Sequence, residues 1–250
     1  MKNNKNNQRP DLFGTHAVRE AYLNPNRNVE ALLLTAHAKD GFEDTLNEAR
    51  AKALKRPSPQ IIDKDKLDKM LPKGSVHQGI ALICSGLEQP FIQDFIIKGE
   101  QKDNMLLLML DQVTDPHNVG AILRSACAFG VDGVIMQRKH APDLTGVLAK
   151  TACGAVEHVP VAFETNLSRA LEELKENFFF TYGLDERGEM DIGDIKPGGK
   201  TVLVLGAEGP GLRRLVGETC DALVKLPMHG PMPSINVSNA AAVALYALSA

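Results

Sequence analysis

Several features that would place a chain quickly are missing from these 250 residues. No run approaches the roughly 20 apolar residues that a membrane-spanning helix needs. The longest, Met105 to Leu110, has the length of a strand. The opening MKNNKNNQRP has no apolar stretch, so a signal peptide is not expected. Cys84, Cys127, Cys153 and Cys220 stand far apart with no C-x-x-C pair. That spacing suits neither a zinc site nor a disulfide framework, and it points to a reducing cytoplasm. Seven histidines contain no H-E-x-x-H, so no metal is expected. No G-x-G-x-x-G follows a strand, which argues against a dinucleotide fold, and no G-x-S-x-G suggests a serine hydrolase. Pro197-Gly198-Gly199-Lys200-Thr201 imitates the end of a phosphate-binding loop. Asp194 occupies the place of that motif's first glycine and a strand follows, so the segment reads as a turn.

What is present suits a soluble α/β protein. Hydrophobic residues make up 44% and charged residues 24%, enough to fill a core. The net charge of −3 hides an asymmetry. Residues 1–85 hold 14 Lys/Arg against 10 Asp/Glu, and residues 86–250 hold 14 against 21. A basic front half on an acidic body suggests a polyanion-binding appendage.

Residues 1–8 read as a frayed tail. Residues 9–85 then alternate helix and strand: a helix from Phe13 to Tyr22, a strand from Val29 to Thr35, a helix from Phe42 to Leu54, short elements at 60–62 and 64–71, and a strand from Gly79 to Cys84. Residues 86–103 lose periodicity and read as a linker, with Phe91, Phe95, Ile96 and Ile97 available to dock on another element. From 104 to 250 the pattern is strand 105–111, helix 118–129, strand 133–136, helix 143–153, strand 158–162, helix 166–177, strands 178–183 and 201–205, helix 211–218, strand 222–226 and helix 236–249. Such alternation predicts a parallel sheet covered by helices.

Ligands of open α/β sheets bind outside the carboxyl ends of the strands. Three loops there are rich in glycine, proline and small polar residues: 111–120, 205–211 and 226–238. The first opens a helix that Asp115 or Asn118 can cap, with Val119, Ile122, Leu123, Ala126 and Cys127 toward the core and Arg124 off that stripe. The second has Gly206, Gly209 and Gly211 around a single acid, Glu208, where a plain turn needs one or two glycines. In the third, Ser234 and Asn236 precede a helix with alanines at 240–242 that permits close packing. His117 and His229 lie in these loops as singletons.

Together these loops resemble the three signature motifs of the SpoU/TrmH group of SPOUT RNA ribose 2'-O-methyltransferases. Asn118-x-Gly120-x-x-x-Arg124 is similar to the first. Leu205-Gly206-x-Glu208-Gly209-x-Gly211 is similar to the second. Leu226-Pro227-Met228 through Ser234-Ile235-Asn236-Val237-Ser238 is similar to the third. Phe13-Gly14-Thr15-His16-Ala17-Val18 and Val76-His77-Gln78-Gly79-Ile80 resemble the L30e-like substrate-binding domain of these enzymes. Ala152-Cys153-Gly154-Ala155 with Val159-Pro160-Val161 resembles the RlmB-type branch, which modifies a guanosine of 23S ribosomal RNA.

The resemblance implies an L30e-like RNA-binding α/β domain over 9–85. It also implies a parallel-sheet catalytic domain over 104–250 with a C-terminal trefoil knot, a feature nearly absent from other proteins. S-adenosylmethionine (SAM) is the implied cofactor, 23S rRNA the implied partner, and a homodimer through the knot region the implied assembly, with no membrane or DNA partner. Arg124 is carried over as the essential catalytic residue. Asn118, Glu208, Ser234 and Asn236 are carried over as positioning residues around the ribose and the cofactor. Gly206, Leu226, Ile235, Leu205, Met228 and Ser238 are carried over as cofactor contacts. Removing residues 1–100 is expected to spare SAM binding and abolish RNA methylation. Three other readings stay open: a transfer-RNA ribose methyltransferase, a non-catalytic RNA-binding or ribosome-assembly module, and a nucleotide-binding α/β enzyme of another type.

Overall fold

A computed structural model describes residues 9–196, 198–232 and 234–249, so the tail expected at residues 1–8 lies outside the described residues. The chain divides into two compact units. One comprises the chain up to Glu88 together with Asp143–Glu157, and the other comprises Gln89–Pro142 and the chain from His158 onward.

The first unit contains β1 (Leu12–Phe13), α1 (Thr15–Leu23), β2 (Val29–Leu34), α2 (Ala36–Ala51), β3 (Gln60–Ile61), α3 (Lys64–Met70) and β4 (Ile80–Cys84). Its sheet runs β1-β4-β2-β3, with β4 antiparallel to both neighbours and β3 parallel to β2. Phe13, Ala31, Leu33, Leu67, Leu71, Ala81 and Ile83 form one core cluster. Phe42 packs edge-on to Tyr22 elsewhere in the unit. Helix α2 begins six residues before the expected Phe42. Its first turn carries no buried residue, so apolar spacing could not mark the start.

Further along come α4 (Ile92–Glu100), β5 (Met105–Leu110), α5 (Pro116–Ala128), β6 (Gly133–Gln137), α6 (Gly146–Thr151), β7 (Val161–Glu164), α7 (Leu167–Glu176), β8 (Phe179–Leu184), β9 (Met190–Asp191), β10 (Lys200–Leu205), α8 (Arg214–Thr219), β11 (Ala222–Lys225) and α9 (Val237–Ser249). Three of these depart from the sequence reading, β9 being a two-residue strand that it did not anticipate. Helix α4 occupies the stretch expected as a linker. Its Ile92, Phe95 and Ile96 enter the second unit's core, and Phe95 lies so close to Gly133 that a Cβ there would come within 2.5 Å of the ring. Helix α6, expected within the catalytic body, belongs with residues 143–157 to the first unit. Gly146 N–H donates to the Asp11 carbonyl at 2.8 Å, and Glu157 pairs with Arg27.

Among the described residues the second unit has a parallel sheet in the order β7-β6-β5-β10-β8-β11-β9. Strand β5 is wholly apolar and almost wholly buried, as a strand covered on both faces must be. Leu107 stands opposite Val202 of β10 and Gly133 of β6. From β5 the chain builds outward through β6 to β7, and it returns to place β10 on the other side of β5. The order reverses between β5 and β10, so the crevice at their carboxyl ends is the switch point where such sheets bind ligands. Helix α9 packs along α5, burying Ala241, Ala244 and Leu245.

No helix among the described residues is long and apolar enough to cross a membrane, and no cluster of three His, Cys, Asp or Glu side chains could hold a metal. Burial pushes the Cys84 thiol up to about 11 and, with Asp221 adding to it, the Cys220 thiol up to about 12. Both stay protonated near neutral pH, and the thiolate is the reactive form. Native protein treated with iodoacetamide at pH 8 should therefore leave both unlabelled by mass spectrometry. Rapid modification of either would contradict this packing.

Candidate functional site

Strand β5 delivers Asp111 at its carboxyl end, fully buried. Its carboxylate accepts from the Arg213 backbone N–H at 2.9 Å and Nε at 2.7 Å, with Nη2 also 2.7 Å away. A buried carboxylate needs such pairing, because an isolated one is costly to desolvate. The pair ties the end of β5 to the segment after β10. The sequence reading missed it. The available signal was an acid directly after an apolar strand and a base directly after the Gly-Pro-Gly-Leu turn.

Four residues further on, Asp115 caps α5, its Oδ1 accepting from His117 N–H at 3.1 Å, and Pro116 occupies the first turn. Val119, Gly120, Ile122, Leu123 and Ala126 face inward, as their spacing predicts. Asn118 lies at the start of this helix, half-buried.

The second loop folds tightly on itself. Ala207 and Gly211 exchange backbone hydrogen bonds of 3.1 and 2.9 Å, and Gly209 and Gly211 take φ of 84° and 67°. A Cβ on Gly206 would lie 2.2 Å from the Gly211 carbonyl carbon, so this position has room for glycine alone. The fold leaves Glu208 exposed at the rim. Near the loop, Asp185 is held below the usual carboxylate range, chiefly by hydrogen bonds from the Arg187 side chain. A Cβ on Gly211 would stand 3.6 Å from its Oδ2.

The three motifs meet through side-chain amides. Asn118 Nδ2 donates to Glu208 Oε2 at 3.3 Å, and Asn236 Nδ2 donates to Asn118 Oδ1 at 3.0 Å. Asn236 Oδ1 accepts in turn from the Ser238 backbone N–H at 2.8 Å and hydroxyl at 2.6 Å. Residues 118, 208, 236 and 238 thus form one hydrogen-bonded chain at the switch point. The orientation of each carboxamide follows from its partners: Glu208 requires a donor, and the Ser238 N–H requires an acceptor. Leu205 is buried at the end of β10, and Leu226 is half-buried. Met228 and Ile235 are exposed apolar residues of the third loop, and Ser234 is exposed beside Ile235.

Arg124 is not part of this chain. It lies six residues beyond Asn118, about 9 Å along the axis of α5. It is exposed and has no hydrogen-bond or ion-pair partner among the described residues. The arrangement offers amide and carboxylate groups that orient a polar ligand, a glycine-dependent loop closed on itself beside them, apolar side chains without cover, and an unpaired guanidinium.

Comparison with known proteins agrees with this geometry. Residues 105–246 match the SpoU rRNA Methylase family, and residues 12–90 match a domain described as RNA 2'-O ribose methyltransferase substrate binding. A protein of Staphylococcus aureus (strain COL), described as a TrmH family tRNA/rRNA methyltransferase, is 36% identical over 236 residues, 94% of this chain and 93% of its own length. Among solved structures, the SpoU methyltransferase AviRb from Streptomyces viridochromogenes, in complex with AdoMet, superposes with a TM-score of 0.76 at 22% identity, covering 95% of this chain and 88% of its own. A structure concerned with 2'-OH methylation of C/U34 on tRNA matches 58% of this chain and 94% of its own, at 27% identity and a TM-score of 0.53. With the methylase and substrate-binding regions both matched, and the three motif loops joined at the switch point of the sheet, the chain belongs to the SpoU/TrmH family of RNA methyltransferases.

Proposed function

We propose that the protein transfers a methyl group from SAM to the ribose 2'-hydroxyl of a guanosine in 23S rRNA. The observation that carries methyl transfer is the hydrogen-bonded meeting of Asn118, Glu208 and Asn236. The ribosomal target is supported by the presence of a substrate-binding region, residues 12–90, most of which falls in the first unit together with residues 143–157. A second reading, a transfer-RNA target, is favoured by the relative described as acting on tRNA/rRNA and by the tRNA-modifying neighbour. Mapping ribose methylation in total RNA from cells with and without the protein separates the two. Loss of one 2'-O-methylguanosine from 23S rRNA is the expected result, and a change confined to tRNA overturns it.

The residues fit SAM. Gly206 lets the 206–211 loop close on itself at the end of β10, and Leu226, Met228 and Ile235 supply apolar surface for an adenosine. Leu205 and Ser238 hold the ends of the two loops that would enclose it. SAM supplies an activated methyl on a sulfonium that leaves as a neutral thioether. The protein's share is aim and charge. Asn118, Glu208, Ser234 and Asn236 orient the ribose and the donor, where misplacement by an ångström costs about a hundredfold. A guanidinium accepts no hydrogen bond and serves poorly as a general base. Arg124 therefore acts as a donor, clamping an RNA phosphate and stabilising negative charge as it develops on the 2'-oxygen, whose proton passes to solvent water.

Gly206→Ala tests whether the closed shape of this loop is needed for binding. The added methyl must prise apart the Ala207–Gly211 bridge, so SAM affinity measured by calorimetry should fall at least roughly tenfold. Unchanged affinity would remove this loop from the binding site.

The proposal includes a cytoplasmic homodimer, formed through a C-terminal trefoil knot. Val243 and Tyr246, one turn apart on α9, are 50% and 65% exposed, an apolar face suited to a second copy. Sedimentation should give twice 27.1 kDa, and Val243→Asp should shift the protein toward monomer. A wild-type monomer would sink this part of the reading.

A further inference from the structure

We propose that the RNA-binding surface of the first unit extends beyond residues 12–90 and includes Lys150, brought in by the 143–157 segment, as the cation that receives a phosphate of the RNA backbone. This deepens the reading above and rests on it. The segment is anchored at both ends. Gly146 N–H donates to the Asp11 carbonyl at 2.8 Å. Glu157 is ion-paired to Arg27 at 2.8 Å and accepts from Asn24 Nδ2 at 2.8 Å. Between these anchors the backbone at Gly154 presses on α1, where a Cβ would come within 2.3 Å of Glu20 Cγ.

The segment thereby lays the Lys150 stem across Gly14. A Cβ at Gly14 would lie 3.3 Å from Lys150 Cε and 3.3 Å from Gln78 Oε1. Gln78 Oε1 accepts from the Thr15 backbone N–H at 3.1 Å. The two sequence motifs of the substrate-binding domain, 13–18 and 76–80, therefore meet under a lysine that neither contains. His16 and Gln78 are exposed beside it.

Three observations favour an anionic occupant. Lys150 has no carboxylate partner among the described residues, a property it shares with Lys66 on α3, so its ammonium is not neutralised within the unit. Its stem is packed, so little side-chain freedom is lost when the ammonium binds. Gln78 holds a left-handed φ of 56°, a conformation that costs free energy in a non-glycine residue. Its oxygen is committed to Thr15, which leaves the NH2 group to donate outward. RNA phosphate suits this set, with the lysine acting as a point charge and the amide as a neutral donor.

The test uses the full-length protein and ribosomal RNA isolated from cells that lack it. Lys150→Gln keeps the stem and removes the charge. RNA affinity should fall roughly tenfold. The slope of log K against log salt should shrink by about 0.7 to 0.9, the value for one phosphate contact. Lys150→Arg should retain affinity, and Lys66→Gln, an exposed lysine on α3, should bind as the wild type does. SAM affinity should be equal in all four proteins. Wild-type affinity and slope in Lys150→Gln overturn the proposal, as does an equal loss in Lys66→Gln. Absence of salt-dependent RNA binding in the wild type would instead overturn the methyltransferase reading on which it stands.

Discussion

Arg124→Lys is expected to lower the methyl-transfer rate by about 10² to 10³, the usual cost of losing one donor aimed at developing charge, while SAM affinity stays within about twofold. Lysine keeps the positive charge, so simple attraction for RNA survives. It loses the planar fork of donors that can hold a phosphate and an oxyanion in fixed relation. Arg124 is exposed and unpartnered among the described residues, and its neighbours on α5 carry the packing. The substitution should therefore leave the melting temperature unchanged, so a slow variant is slow for chemical reasons. Single-turnover transfer to ribosomal RNA at saturating SAM measures the effect. A near-normal rate would remove Arg124 from the reaction and leave the amide chain without its charged partner.

Glu157→Ala is expected to destabilise the first unit by about 3–5 kcal/mol, the usual cost of stripping one partner from a buried ion pair. Both side chains are almost completely buried, at 3% and 2% exposure. Arg27 donates to both Glu157 oxygens through Nε and to Oε1 through Nη2, and its Nη1 donates to the Ser85 carbonyl at 2.7 Å. Removing the carboxylate leaves a buried guanidinium with that carbonyl as its remaining partner. Replacing both residues with apolar ones, Arg27→Met with Glu157→Leu, should recover most of the loss, because no charge is then left uncompensated. Urea denaturation followed by circular dichroism measures both variants. A cost below about 1 kcal/mol for the single change would show that the pair does not hold the segment.

The same anchoring bears on the expectation that removing residues 1–100 spares SAM binding and abolishes RNA methylation. Such a cut takes away most of the sheet unit on which 143–157 rests. It also removes α4, whose Phe95 packs against Gly133 and whose Gly99 lies against Phe179. The helix escaped the sequence reading because its buried positions, 92, 95, 96 and 99, span only two turns and the apolar Phe91 and Ile97 beside them are exposed, which blurs the helical spacing. Strand β5 was legible for the opposite reason: six consecutive apolar residues can be satisfied only by burial on both faces. Helix α5 was legible through its cap and its inward stripe, and the second loop through glycines that its backbone does require.

What the amino-acid order determined by itself is local. It set the alternation of strand and helix, the caps, the glycine-dependent loop, and the chemical character of each motif, because these depend on neighbours within about ten residues. Tertiary structure alone decided which distant groups touch. The Asp111–Arg213 pair, the contacts joining Asn118 to Glu208 and Asn236, and the transfer of Lys150 to the first unit all follow from sheet order and from residues about 90 to 140 positions apart. Burial energy is non-directional, and many chain paths satisfy the same local pattern. Packing the whole sheet selects one of them, and the site comes into being with that selection.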